Sequence, residues 1–223
     1  ISSQTALPWH VNKSYDELAA LTQEEAIGNK QKTLSWITSD AKDLEGHLLR
    51  MAFKDFLLQE NLNFDLWGRG FAPIDDKFDG LYPYKYSMAI ENYSCNDYWT
   101  EKISDCFLAW TMPIYYGAKN IRNYFPEQSM ILIDPNDPKQ SLSIIKEAIL
   151  GNGFEERIDY IAEARELILN KYQFFPMIAQ WIRDSDIDFS KKKSYFIPRN
   201  TPPRNYRSLA RKLLRPGEGH PTK

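Results

Sequence analysis

Five short β-prone runs, four of them followed by a segment of helical spacing, constrain this chain more than any other feature. The runs are residues 33–38, 64–68, 84–90, 112–117 and 130–134. Helical patterns cover 16–26 (closed by Gly28), about 45–58, 100–110, a short piece at 121–125, about 138–150 and 154–172. In 100–110 the apolar positions are Ile103, Phe107 and Leu108. Strands that alternate with helices imply a parallel sheet covered on both faces. The expected fold is therefore a doubly wound, Rossmann-like α/β domain, and sandwiches and helical bundles fit poorly. The core is affordable at this size: of 223 residues, 43% are apolar and 14% aromatic. The longest apolar stretches, such as 106–110, are far short of the roughly 20 residues that span a bilayer. Cys95 and Cys106 do not make a disulfide framework and read as reduced thiols.

Charge divides the chain unevenly. Residues 189–223 hold ten Lys or Arg against Glu218 alone, a balance of +9, and positions 1–188 carry −11. The net charge of −2 argues against a general nucleic-acid binder. The basic tail reads as a solvated extension or as a surface segment. In the second case Leu209, Leu213 and Leu214, interleaved with cations, would lie weakly on an anionic membrane. The chain opens on Ile1 rather than Met, so a segment upstream is expected.

Ligands of doubly wound sheets bind at the carboxyl ends of the strands. The usual signatures there are missing. Gly68 and Gly70 lack a third glycine, as do Gly151 and Gly153, and no P-loop or nucleophile elbow occurs. His10, His47 and His220 are scattered outside any metal-ligand motif, and His47 reads as a surface or capping residue. What stands out is residues 91–102, which leave the third strand and enter a helix. Thr100 suits an N-cap and Glu101 the positive end of the helix. Lys102 opposes the macrodipole there. It becomes favourable if an anion such as a diphosphate binds between it and the free N–H groups; otherwise it pairs with Glu101 or Asp105.

These residues carry a family resemblance. Glu91-Asn92, then Asp97-Tyr98-Trp99-Thr100-Glu101-Lys102, then Thr111, Pro113 and Gly117 resemble the C-terminal donor-binding domain of glycosyltransferase family 10, the α-1,3/1,4-fucosyltransferases. Segments 35–39, 50–53 and 65–69 are similar to family segments in the same order, so the resemblance covers roughly 33–150. Ile90, Tyr93 and Trp99 depart from the residues common in the family, which touches the expected pocket around base or sugar.

The resemblance implies the C-terminal half of a GT-B-type enzyme. Residues 1–32 would then be a linker and helix trailing an acceptor domain, 33–188 the GDP-sugar domain and 189–223 the tail. It implies inverting transfer of fucose from GDP-fucose to a glycan, with no cofactor and no metal. Arg50 and Lys102 would neutralise the diphosphate, Asn92 would bond near the phosphates, and Tyr98 with Glu101 would hold ribose or sugar. The catalytic base would come from the acceptor side; within this chain Glu91 is the first carboxylate to test. A transferase for another GDP-sugar, or a non-catalytic nucleotide-sugar or membrane-surface module, fits the same residues. The expected location is cytoplasmic or at the inner face of a membrane, of bacterial type.

Overall fold

A computed structural model describes residues 9–185. Five strands form one all-parallel sheet in the order β2-β1-β3-β4-β5. They are β1 (Lys32–Ile37), β2 (Asp65–Trp67), β3 (Tyr84–Ile90), β4 (Met112–Tyr116) and β5 (Ile131–Leu132). The expected doubly wound fold is the observed one. β3 is central, and all of its side chains except Lys85 are buried, as a strand covered on both faces requires. Ser35 and Ser87 sit in that interior and bond each other across the β1–β3 register at 3.0 Å.

The helices are α1 (Tyr15–Ala20), α2 (Gln23–Asn29), α3 (Glu45–Gln59), α4 (Glu101–Leu108), α5 (Pro138–Leu150), α6 (Ile158–Asn170) and α7 (Phe174–Asp184). α3 contacts α5 and α4 contacts α6, giving the two helical layers. Phe53 and Leu57 of α3 join the core beside Trp36 of β1, whereas Ile103 and Phe107 of α4 meet Ile161 and Ile168 of α6 on the other side.

Three local expectations are corrected. The helix read over 16–26 is two helices, because Leu21 is extended and Thr22 opens a second capping box with Glu25, repeating the Ser14–Glu17 box of α1. Both short helices bury one residue, Leu18 and Ala26, in the same core as the sheet. The run at 154–172 begins as a tight 3-10 turn (Glu155–Arg157) before α6. α7 was not foreseen. The basic tail, with its three leucines, lies outside the described residues.

Candidate functional site

The strand order reverses direction between β1 and β3, so the crevice between their carboxyl ends is the switch point where such sheets take ligands. One wall is the start of α3, which follows β1. The other is the loop from β3 into α4. Gly46 in the first turn of α3 lets these walls touch: a Cβ there would lie 1.7 Å from the Asn92 carbonyl oxygen. The loop is stitched down on its far side. Asp97, at φ 62°, accepts from Asn120 (2.7 Å) and from the Tyr124 hydroxyl (2.6 Å), and Ser94 donates to the Gly117 carbonyl (2.8 Å).

Glu91 is the hub of this crevice. Its side chain is wholly buried and accepts from the Thr100 amide (2.8 Å), the Thr100 hydroxyl (2.7 and 2.9 Å) and Lys102 Nζ (2.9 Å). Lys102 Nζ also donates to Thr100 Oγ1 at 3.1 Å and lies 3.8 Å from Glu101. Thr100 is the N-cap of α4, as its sequence position suggests. Lys102 therefore pairs with Glu91, and more loosely with Glu101. Asp105 instead faces Lys77 (3.5 Å) and the His10 amide (2.9 Å). Burial pushes the Asp105 carboxyl up to about 6, although Lys77 and that amide oppose the shift. Glu101 is also desolvated, which would raise its pKa, but Lys102 and Lys77 outweigh burial and hold it below its ordinary value. Sequence reasoning gave no sign of Lys77.

Arg50 reaches the same place from α3, one turn beyond Gly46. It is 5% exposed, and its Nε has no hydrogen-bond partner. Burial pulls its pKa down, and nearby Glu91, Tyr98 and Glu101 resist that shift. Among the described residues no carboxylate is within ion-pair distance of it. Tyr98 is half-buried, and burial, then Glu91, raises its pKa. Asn92 Oδ1 is buried without a partner, and so are Thr38 Oγ1, just past β1, and His47 Nδ1 on α3. His47 is half-buried, with its Nδ1 shielded from solvent. These four unpartnered atoms lie on the segments that follow β1 and β3, and Trp110, Arg165 and Gln173 hold others away from the crevice. A polar ligand in the crevice would satisfy the first group under the rule that buried polar groups find partners.

The residues singled out in sequence divide accordingly. Lys102 pairs with Glu91 and lies beside Glu101, Arg50 and Tyr98 feel the Glu91 charge, and the Asn92 carbonyl abuts Gly46. Trp99 faces away: it is 1% exposed and packs edge-on to Tyr124, Phe125 and Tyr172, so this departure is a core feature. Tyr93 projects into solvent. A cavity of ≈ 710 Å³ lies elsewhere, along the outer edge of β5 between Leu132, Ile144 and Gly151, and contains none of these residues. Among the described residues no group of three His, Cys, Asp or Glu could hold a metal ion.

The doubly wound sheet and its polar switch-point crevice define the class of α/β domains in which ligands sit at the sheet edge. The particular family follows from comparison. The glycosyltransferase family 10 (fucosyltransferase) C-terminal profile matches residues 27–147, and the chain belongs to that family. A Danio rerio GDP-fucose protein O-fucosyltransferase 3 is 38% identical over 78 residues, covering 34% of this chain and 17% of that protein. The Bos taurus 4-galactosyl-N-acetylglucosaminide 3-alpha-L-fucosyltransferase 9 is 26% identical over 143 residues, 56% of this chain and 36% of that one. A solved alpha1,3-fucosyltransferase with GDP superposes with a TM-score of 0.50 at 21% identity, over 72% of this chain and 54% of that one, which bears out the fold. The chain thus matches about a third or less of these curated relatives' length, and about half of the solved enzyme.

Proposed function

We propose that this domain is the donor half of a fucosyltransferase that takes fucose from GDP-fucose and passes it to a glycan, with inversion and without a metal. The observation that carries the reading is Arg50. A buried guanidinium with an unpartnered Nε, set in the same crevice as the Lys102 ammonium, is costly unless an anion completes it. The names of the relatives supply that anion as the diphosphate of GDP-fucose.

Departure of GDP concentrates negative charge on the diphosphate. Arg50 and Lys102 would take up that charge, with the first amides of α4 beside them. Asn92 would bond near the phosphates, and Tyr98 with Glu101 would orient ribose or sugar. Inversion further requires a base for the acceptor hydroxyl. Glu91 is unsuited to that task, because it is wholly buried and engaged by Thr100 and Lys102. The base would then belong to an acceptor-side domain outside this chain.

Calorimetric titration with GDP, GDP-fucose, GDP-mannose and UDP tests the reading. GDP and GDP-fucose should bind better than UDP. Lys102→Ala should weaken GDP by more than about 1 kcal/mol through loss of a charge-assisted bond. Equal affinity for UDP and GDP would refute the site. Equal affinity for GDP-mannose and GDP-fucose would leave the site but not the sugar.

A further inference from the structure

We infer that Glu91 is a positioning residue of the donor site: before donor arrives it holds Lys102 at the crevice with one N–H left over for a phosphate oxygen. The inference rests on the donor-site reading above and assigns Glu91 a part other than that of a base.

The geometry makes the case atom by atom. A lysine ammonium has three N–H donors. Two are spoken for, by Glu91 Oε2 at 2.9 Å and Thr100 Oγ1 at 3.1 Å, so one remains. The Lys102 side chain keeps 22% of its surface exposed while Glu91 keeps none, so of this pair only Lys102 can meet a ligand. Glu91 cannot drift, because its other oxygen accepts both the amide and the hydroxyl of Thr100. Its amide donates to the Tyr116 carbonyl at 2.8 Å, and Gly117 packs against its side-chain stem. A free lysine on an exposed helix turn would sample many rotamers and lose that freedom on binding. Anchoring it in advance removes most of that loss, which is what preorganisation means for affinity.

Two readouts test the role, one of which needs no nucleotide. The first is the reactivity of the Lys102 amine toward acetic anhydride, followed by mass spectrometry of its peptide. The second is GDP affinity by calorimetry. In Glu91→Gln, which keeps the shape and the Thr100 contacts, Lys102 acetylation should rise severalfold and GDP affinity should fall about tenfold. Glu91→Asp, one methylene shorter but still charged, should fall between wild type and Glu91→Gln in both. In a Lys102→Ala background, Glu91→Gln should change GDP affinity less than about twofold, because the two act as a unit. Unchanged Lys102 reactivity in Glu91→Gln would overturn the anchoring. Fully additive losses would overturn the positioning while leaving the donor site intact. If the wild-type chain fails to bind GDP, the donor reading falls with the positioning role, and the acetylation arm still decides whether Glu91 holds Lys102.

Discussion

Gly46 offers the sharpest test of the crevice, because the structure and helix propensity predict opposite signs for its replacement. In an open helix, glycine to alanine stabilises by up to about 1 kcal/mol. Here a Cβ would sit 1.7, 2.5 and 2.8 Å from the carbonyl oxygen, carbonyl carbon and Cα of Asn92. Normal carbon contacts begin near about 3.5 Å, so α3 and the loop after β3 would have to part by roughly 1.5–2 Å. Both partners are backbone, and neither has a side chain to swing aside. Overpacking of this kind costs about 1–3 kcal/mol, and rigid partners place it in the upper part of that range. Net of the propensity gain, Gly46→Ala should lose about 2 kcal/mol. In urea, with a slope of about 2 kcal/mol/M, that lowers the midpoint by about 1 M with the slope unchanged. GDP affinity should drop as well, since Arg50 rides on the same helix one turn further on. An unchanged or raised midpoint would show that α3 does not close on Asn92, and the crevice described above would lose one wall.

Four further outcomes are expected. Asp105 ionises near 3.8 when unfolded and about 6 when folded, because burial disfavours its charge. The unfolded chain therefore sheds this proton first, and its contribution to stability falls as pH rises from about 4 to 6, by on the order of 3 kcal/mol. Asp105→Asn should thus gain on wild type across that window in denaturant titrations, and a gap flat with pH would refute the assignment. Trp99→Ala should cost about 3–5 kcal/mol by emptying the aromatic cluster with Tyr124, Phe125 and Tyr172, read as a fall in urea midpoint. Deletion of residues 189–223, which carry +9, should abolish salt-sensitive sedimentation with anionic liposomes; equal sedimentation of both forms would show that the tail takes no part. Acceptor-dependent transfer of radiolabelled fucose by the 223-residue chain alone should stay at background, because a donor half by itself cannot exclude water or aim an acceptor. Robust transfer would place a base within this chain.

How far the sequence reached depended on the range of the interactions involved. β3 and α5 were legible to the residue, since β3 is a β-prone run rich in tyrosine and apolar residues and α5 opens on Asp137-Pro138 and closes on Gly151. The break between α1 and α2 was written in the Thr22–Glu25 capping box, a local signal that the apolar pattern across it concealed. Arg50, Tyr98, Glu101 and Lys102 could be named because three of them share one motif. Their arrangement could not. The partner of Lys102 depends on where the residue just past a strand ends up relative to a helix that starts ten positions later, and proximity along the chain puts Glu101 and Asp105 ahead of Glu91. Parallel topology reverses that ranking. It carries β3 straight to the crevice and turns Glu91 inward under the first turn of α4, where its charge faces Thr100 and Lys102. Gly46 and Lys77 were invisible for the same reason: each matters only through a contact more than twenty residues away. A glycine in the first turn of a long helix is a poor helix former there, and that local cost was the one trace the close approach left in the sequence.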